Sequence, residues 1–196
     1  MSATVLYMSM SLDGFIAGPN ETIDNGLGDG GLRLHDWWLA GTDGEGDRPS
    51  GVNGQIYDES QATGAVVGGR GSAELAGYWG GDNHNGVPIF ILSRHDSDPI
   101  TRQWPLITYV SDVTTVMSRA REAAGERNVP VHGAGVAQLA FAASVLDELE
   151  LHIVPVLFGQ GRRLFDGLPA EQIELERTRI LEGEGGVTHL HYRIKQ

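Results

Sequence analysis

The stretch that decides the fold is Val131-His132-Gly133-Ala134-Gly135-Val136, and a second informative stretch runs from Leu146 to Phe165. Together they predict a strand, a glycine turn, a helix, a second strand and a second glycine turn. A Gly-x-Gly turn between a strand and a helix brings bare backbone amides close to a ligand, and the helix dipole favours negative charge there. The layout therefore favours a phosphate-bearing ligand such as a dinucleotide.

The same glycines also fit an ordinary turn in which they only relieve a steric clash. Position 138 is Gln, so the third glycine of the usual Rossmann pattern is missing. The spacing therefore argues against a standard Rossmann site. A phosphate-binding turn and a plain structural turn both stay open.

Length and composition bound the class of protein. A chain of 196 residues predicts one compact domain over 1–196, and the lack of cysteine excludes a disulfide framework, a thiolate zinc site and a cysteine nucleophile. A net charge of −12 argues against a nucleic-acid partner. The start lacks a signal-peptide pattern, and no apolar run reaches the ~18 residues of a membrane helix. We therefore expect a cytoplasmic protein with no membrane partner.

Apolar runs and turn residues outline the elements. Strands are predicted at 4–10, 64–69, 87–92, 107–110 and 129–131, helices at 54–62, near Ser72, at 112–124 and at 136–144, and further strands at 150–158, 173–181 and 187–194. Strands separated by helices, then strands separated by turns, predict a mixed sheet. We expect a three-layer α/β/α domain whose sheet is mainly parallel and gains antiparallel strands at its C-terminal end. Ligands of such sheets bind at the carboxyl ends of the strands.

Two of these strand ends carry an arginine and a serine. Gly69-Arg70-Gly71-Ser72 brings bare amides, a hydroxyl and a guanidinium to a predicted helix start, which suits an anion, although Ser72 could simply cap the helix with Arg70 in solvent. Ser93-Arg94 supplies the planar fork and hydroxyl that suit a ribose 2′-phosphate. An NAD site would favour a carboxylate at such a position, so NADP is preferred over NAD.

Asp13 follows the first strand, in Ser11-Leu12-Asp13-Gly14. A carboxylate there can orient a heterocycle or a sugar hydroxyl, or relay a proton. The alternative is an Asx turn made by Asp-Gly. No metal is expected, because the seven histidines form no recognisable ligand set and the pair His189 and His191 on one strand face is typical of packing or exposure.

With these positions in place, the chain resembles the dihydrofolate-reductase-like family typified by the C-terminal reductase domain of riboflavin-biosynthesis deaminase-reductases. The resemblance spans nearly the whole chain. It rests on 11–17, Gly69-Arg70, Leu92-Ser93-Arg94, Gly133-Ala134-Gly135, Asp147-Glu148-Leu149 and 155–165, of which the last is the most specific.

The resemblance implies a dihydrofolate-reductase-like fold, NADPH as hydride donor and a homodimer. Carried over by position, it puts Gly69, Arg70, Gly71, Ser72, Ser93 and Arg94 at the phosphates and the adenosine ribose, Gly133, Ala134, Gly135 and Val136 at the pyrophosphate and nicotinamide, Asp13 facing the substrate, and Gly159 and Gly161 closing the pocket. The chain departs from the family where His132 stands in place of the usual glutamate before the glycines. We also expect no deaminase half, because its zinc site needs cysteines and this sequence has none.

The sequence therefore predicts an NADPH-dependent reductase that delivers hydride to a C=N or C=O bond of a small heterocyclic, ribosylamino-pyrimidine-like or pterin-like substrate. Two alternatives stay open: a non-catalytic NADPH-binding module, and a reductase that uses a deazaflavin or flavin. The glycine-rich stretch 18–54 is interpreted either as a mobile lid over the substrate or as a plain surface loop.

Overall fold

The computed structural model describes residues 2–39, 48–83 and 86–195. Its strands are β1 (Thr4–Ser11), β2 (Phe15–Ala17), β3 (Val66–Gly69), β4 (Ile89–Leu92), β5 (Ile107–Val110), β6 (Val129–His132), β7 (Glu148–Val154), β8 (Arg162–Arg163), β9 (Leu175–Glu182) and β10 (Thr188–Ile194). Its α-helices are α1 (Asp36–Leu39), α2 (Gly51–Gln61), α3 (Arg70–Leu75), α4 (Val113–Ala124) and α5 (Ala134–Ala142).

Eight strands form one sheet in the order β5-β4-β3-β6-β1-β7-β10-β9, and β2 pairs with β8 beside it. The six strands from β5 to β7 are parallel, whereas β10 is antiparallel to both of its neighbours. The prediction of a mainly parallel sheet with antiparallel C-terminal strands is confirmed. The parallel strands β3 and β4 are short apolar runs, as is typical of strands that are covered on both faces.

Helices cover the two faces of the sheet in three layers. Helices α4 and α5 pack on one face through small and apolar side chains such as Val116 and Ala137. The opposite face carries α3 through Ala73, and α2 through Ile56, which packs against Trp37 of α1. These separate clusters confirm the three-layer α/β/α prediction.

Several predicted boundaries were wrong by a few residues. Helix α2 begins at Gly51 rather than 54, and α5 runs from Ala134 to Ala142 rather than over 136–144. Helix α3 begins at Arg70, directly after the extended Gly69, so Ser72 lies inside the helix and makes no capping hydrogen bond. Helix α4 is capped by Asp112, whose carboxylate accepts from the Thr115 amide at 2.7 Å.

The described parts of the stretch 18–54, residues 18–39 and 48–54, are more ordered than the sequence suggested. Residues Gly31–His35 form a 3-10 helix that continues into α1, and both Leu34 and Trp37 are buried. Bulky apolar side chains explain this, because they pack under α2 against Val154 of β7. Residues 40–47 lie outside the described residues, and a lid function stays a prediction.

Candidate functional site

The chain leaves β1 and β6, which lie side by side, toward opposite faces of the sheet. The connection from β1 to β3 runs through α1 and α2 on one face, and the connection from β6 to β7 runs through α5 on the other. In open α/β sheets such a divergence marks the place where ligands bind, so we expect a ligand crevice at the carboxyl ends of the two strands. Gly133 follows β6 and Asp13 follows β1, so both predicted site segments border the crevice.

Gly133 is required by geometry. Its φ is +99°, a value that favours glycine, and a Cβ at this position would overlap the Ser72 hydroxyl. Gly135, two residues on, has open space where its Cβ would be. Because the first amides of a helix lack partners within it, the start of α5 leaves donors available beside the crevice. The predicted turns at Gly133 and at Ser72 therefore lie in contact.

Arg70 connects α3 to the loop that follows β4. Its Nε donates to Glu74 Oε1 at 2.6 Å, and its Nη1 donates to the Asp96 carbonyl oxygen at 2.7 Å. The side chain is therefore held in place rather than left in solvent. Gly71 is exposed and has open space above its Cα.

Ser93 and Arg94 differ in their availability. The buried Ser93 hydroxyl donates to the His95 carbonyl oxygen and accepts from the His95 amide, both at 3.1 Å, so it shapes the turn after β4. Arg94 is exposed. Its guanidinium makes no hydrogen bond or ion pair to the residues that the structure describes. Arg94 is thus the more available cation at this edge, near Gly69, the partner of Leu92 at the end of β4.

Asp13 holds the loop after β7. Its carboxylate accepts from the amides of Phe158 at 3.1 Å and Gly159 at 2.7 Å, and from the Ser11 hydroxyl at 2.6 Å. The Ser11 bond, followed by the two amides, lowers the pKa of Asp13 to about 2. The group is therefore a carboxylate at neutral pH and has no proton to give. Its geometry favours an anchoring role over proton supply.

Gly159 and Gly161 belong to the same part of the edge. The Gly159 amide is bound to Asp13, whereas a Cβ on Gly161, at φ +128°, would overlap the Ala17 carbonyl oxygen of β2. Nearby, the Arg163 guanidinium lies 4.4 Å from the Phe15 ring centre and donates to the Asp13 carbonyl oxygen. The site residues thus fall into two groups, one around Asp13 after β1 and β7, and one around Gly133 after β4, β3 and β6.

The sequence analysis missed a buried polar chain on the α2 face. His152 of β7 faces His189 of β10, with 2.8 Å between their Nδ1 atoms. His189 Nε2 lies 3.0 Å from Asn53 Oδ1, and Asn53 Nδ2 donates to the Glu184 carbonyl oxygen. Burial lowers the pKa of both histidines, that of His189 to about 4, so both are neutral at neutral pH.

The partners fix the tautomers of this chain. A carbonyl oxygen only accepts, so Asn53 turns its amide nitrogen to Glu184 and its oxygen to His189. His189 Nε2 must then donate, which leaves its Nδ1 to accept from the Nδ1–H of His152. These hydrogen-bonded side chains join α2 to β7 and β10. The spacing of His189 and His191 within β10 drew attention to His189. Its partner His152 lies 37 residues away in sequence and meets it only because β7 and β10 pair.

Glu150, on the same face of β7, gives a pH-dependent prediction. Burial raises the pKa of Glu150 to about 7, above the ordinary value of 4.5, so between these two pH values the folded protein holds a proton that the unfolded chain has lost. Stability is therefore lost as pH rises through that window. We expect Glu150→Gln to be more stable than the wild type by about 2 kcal/mol at about pH 7.5, with the gap closing by about pH 4.5.

Urea unfolding at the two pH values measures this gap. The buried histidines titrate alike in both proteins and cancel in the difference. Glu182→Gln, on the exposed strand β9, is the control and should leave the curve unchanged. Equal stability of Glu150→Gln and the wild type at the higher pH would contradict the assignment.

Two classes of site are absent from the described part of the chain. Residues 2–39, 48–83 and 86–195 hold no group of three or more side chains that could bind a metal ion. Over the same ranges, no helix combines the length and the apolar character needed to cross a bilayer.

Comparison with known proteins decides the family. The family model of the RibD C-terminal domain matches residues 3–188. The chain belongs to the RibD C-terminal domain family. No curated protein sequence matches it significantly.

Solved structures share the fold at low sequence identity. A protein from Shewanella sp. PV-4 whose name refers to riboflavin biosynthesis is 18% identical with a TM-score of 0.73, and each chain covers 99% of the other. A pyrimidine reductase-like protein from Corynebacterium diphtheriae is 12% identical with a TM-score of 0.62, over 100% of this chain and 92% of that one. The deaminase/5-amino-6-(5-phosphoribosylamino)uracil reductase of Thermotoga maritima is 12% identical with a TM-score of 0.61, and the match covers 99% of this chain but 57% of that protein. The chain thus spans little more than half of that two-activity protein.

Proposed function

We propose that this RibD C-terminal domain is an NADPH-dependent reductase that transfers hydride to a C=N or C=O bond of a small heterocyclic substrate. A ribosylamino-pyrimidine or a pterin is the substrate class that fits the family. The first compound to assay is 5-amino-6-(5-phosphoribosylamino)uracil, which the name of the Thermotoga maritima protein gives as its reductase substrate. His132 stands before the glycines where the family usually has a glutamate, so other pyrimidines should be assayed as well.

The observation that carries the proposal is the contact between two glycine turns at the crevice. Gly133 fits only because it lacks a Cβ where the Ser72 hydroxyl lies, so the start of α5 is drawn against α3. Gly71 and Gly135, one on each helix, have free space above their Cα atoms. A diphosphate needs such bare backbone beside helix amides, so the residues fit NADPH.

Each part of the nucleotide has a group to hold it. The turn Gly133 to Val136 would hold the pyrophosphate and flank the nicotinamide, and the turn Gly69 to Ser72 would hold further phosphate oxygens. Arg94 would bind the ribose 2′-phosphate, for which a guanidinium is the best-matched side chain. NADPH, when bound, supplies a hydride from its nicotinamide ring.

Asp13 acts, in this proposal, as a positioning residue. Its ionised carboxylate holds the amides of Phe158 and Gly159, and so fixes the loop at the substrate side of the crevice. Gly159 and Gly161 close the pocket there.

The homodimer that the family resemblance implies stays a prediction, and the exposed Ile180 on the edge strand β9 is compatible with it.

Titration of NADPH and NADH by calorimetry tests the cofactor. We expect NADPH to bind more tightly than NADH, and Arg94→Ala to weaken NADPH binding about 10- to 100-fold while leaving NADH nearly unchanged. Arg127→Ala is the matched control, because Arg127 is exposed and precedes β6 at the opposite edge of the sheet.

Three results would change the proposal in different ways. Failure of both nucleotides to bind would overturn it and favour a deazaflavin or flavin cofactor, which absorbance spectra would reveal. Equal loss of NADPH and NADH in Arg94→Ala would remove Arg94 from the 2′-phosphate site. Tight NADPH binding without turnover of any pyrimidine or pterin would favour the non-catalytic module.

A further inference from the structure

Five consecutive residues, Gly77 to Gly81, have left-handed backbone angles, with φ of 56°, 52°, 52°, 64° and 88°. Two of them are the aromatic residues Tyr78 and Trp79. Side chains with a Cβ rarely adopt this conformation, and a run of it is rarer still, because the Cβ approaches the following carbonyl oxygen. Backbone strain of this kind persists only where the surroundings enforce it, and it is concentrated at functional sites.

Buried contacts on one side of the turn enforce the strain. Tyr78 is 4% exposed, and its hydroxyl lies 3.2 Å from Asp98 Oδ2. Gly81 presses on the Trp104 indole so closely that a Cβ would overlap the ring. The anchors are thus Tyr78 and Gly81, whereas Trp79 between them is only half-buried. The turn therefore holds the Trp79 indole in a half-buried position.

The indole of Trp79 lies over the carboxyl ends of β3 and β6. A Cβ on Gly68 would come within 3.0 Å of Trp79 Cη2, so the glycine lets the ring approach the strand closely. Gly68 pairs with His132, and the His132 ring centre is 6.2 Å from that of Trp79. Gly69 and Gly133, the residues that begin the two glycine turns, come next along these strands. Trp79 therefore flanks the crevice on the α3 face.

Further rings extend this wall across the sheet. The Tyr7 ring is 6.0 Å from His132, edge to face, and 4.5 Å from His152. His132 Nδ1 lies 3.1 Å from the Tyr7 carbonyl oxygen and therefore donates to it. His152 is fully buried, whereas Tyr7, His132 and Trp79 are partly exposed. The row thus reaches solvent at the Trp79 end, beside the glycine turns.

We propose that Trp79 is a substrate-binding residue whose indole stacks on a planar nitrogen heterocycle, with His132 beside it. The inference deepens the proposed function and rests on it, since it names the ring-recognition surface of the same crevice. A flat aromatic face binds planar bases by stacking, and the His132 ring lies beside that face. The substrate class is therefore a planar aminopyrimidine or pterin.

Calorimetric titration of 5,6-diaminouracil and of pterin, with and without NADPH, tests the proposal. We expect Trp79→Leu to weaken binding of both heterocycles about tenfold, and Trp79→Phe to keep most of it, because leucine retains bulk without an aromatic face. The NADPH dissociation constant and the affinity for ribose 5-phosphate, which has no planar ring, should stay the same. Thermal unfolding checks that both variants are folded, and Trp79→Phe provides the comparison if Trp79→Leu is not.

Three outcomes would overturn the inference. Unchanged heterocycle binding in Trp79→Leu would make Trp79 a packing residue, and loss of NADPH binding to the same extent would place it in the nucleotide site. No binding of either heterocycle to the wild type would also refute it. Because the titrations without NADPH need no cofactor, a protein that ignores NADPH yet binds the heterocycles through Trp79 would refute the proposed function and keep this inference.

Discussion

Replacing Gly133 with alanine should destabilise the protein by about 2 to 4 kcal/mol. Alanine would have to adopt a left-handed backbone conformation, and its Cβ would overlap a neighbouring side-chain atom. Gly133 has φ +99°, and the overlapping atom is the Ser72 hydroxyl oxygen. The Gly133→Ala variant should also lose NADPH binding, since relief of the overlap moves α5 away from α3. Urea unfolding and NADPH titration measure the two effects.

Gly135→Ala is the matched control for this prediction. A Cβ on Gly135 meets nothing within 4 Å, so its stability should stay within about 0.5 kcal/mol of the wild type. Its added methyl group points into free space beside the crevice and should still weaken NADPH binding. The double variant Gly133→Ala with Ser72→Ala should recover part of the lost stability. A stable Gly133→Ala protein that binds NADPH normally would contradict the role given to this turn.

Replacing Asp13 with asparagine should lower kcat/KM about 10- to 100-fold, because a loop displaced by a fraction of an ångström misplaces the substrate. The Asp13 carboxylate accepts through both of its oxygens from the Ser11 hydroxyl and from the backbone amides of Phe158 and Gly159. An asparagine side chain has only one oxygen that can accept. Amide hydrogen exchange at Phe158 and Gly159 should become faster. Asp166→Asn, an exposed carboxylate, is the control and should change neither quantity.

The pH profile separates anchoring from proton transfer in the same variant. Because the pKa of Asp13 is about 2, the group stays ionised until pH falls well below the neutral range. Asp13→Asn should therefore lower kcat/KM by a similar factor at every pH from about 5 to 9. A profile that loses one of its limbs would show that Asp13 transfers a proton, and unchanged turnover would remove Asp13 from the site.

Much of the sheet could be predicted because its signals are local. The runs at 64–69 and 87–92 are short, apolar and bounded by glycine, proline or polar residues, as buried parallel strands are. The glycine turns could be placed for the same reason, since Gly133 stands directly between a strand and a helix. Helix starts were less certain, and α3 begins at Arg70 because Gly69 remains extended and no side chain caps it.

The features that escaped prediction depend on tertiary contacts. β8 has only two residues and forms because it meets β2 far along the chain. The left-handed turn violates the local preferences of Tyr78 and Trp79, and the contact of Tyr78 with Asp98 and the packing of Gly81 on Trp104 help to maintain it. His152 looked like an ordinary strand residue until its register with β10 was known. Functional and strained positions are where local rules are expected to fail.

The nucleotide site is tested most directly by amide hydrogen exchange of the wild-type protein with and without NADPH. We expect slower exchange at three places on one edge of the sheet: residues 69–72, residues 93–95 and residues 133–136. The loop at 125–128, on the opposite edge before β6, should exchange at the same rate in both samples. Protection confined to other segments, or none at saturating NADPH, would contradict a nucleotide site at the carboxyl ends of β3, β4 and β6.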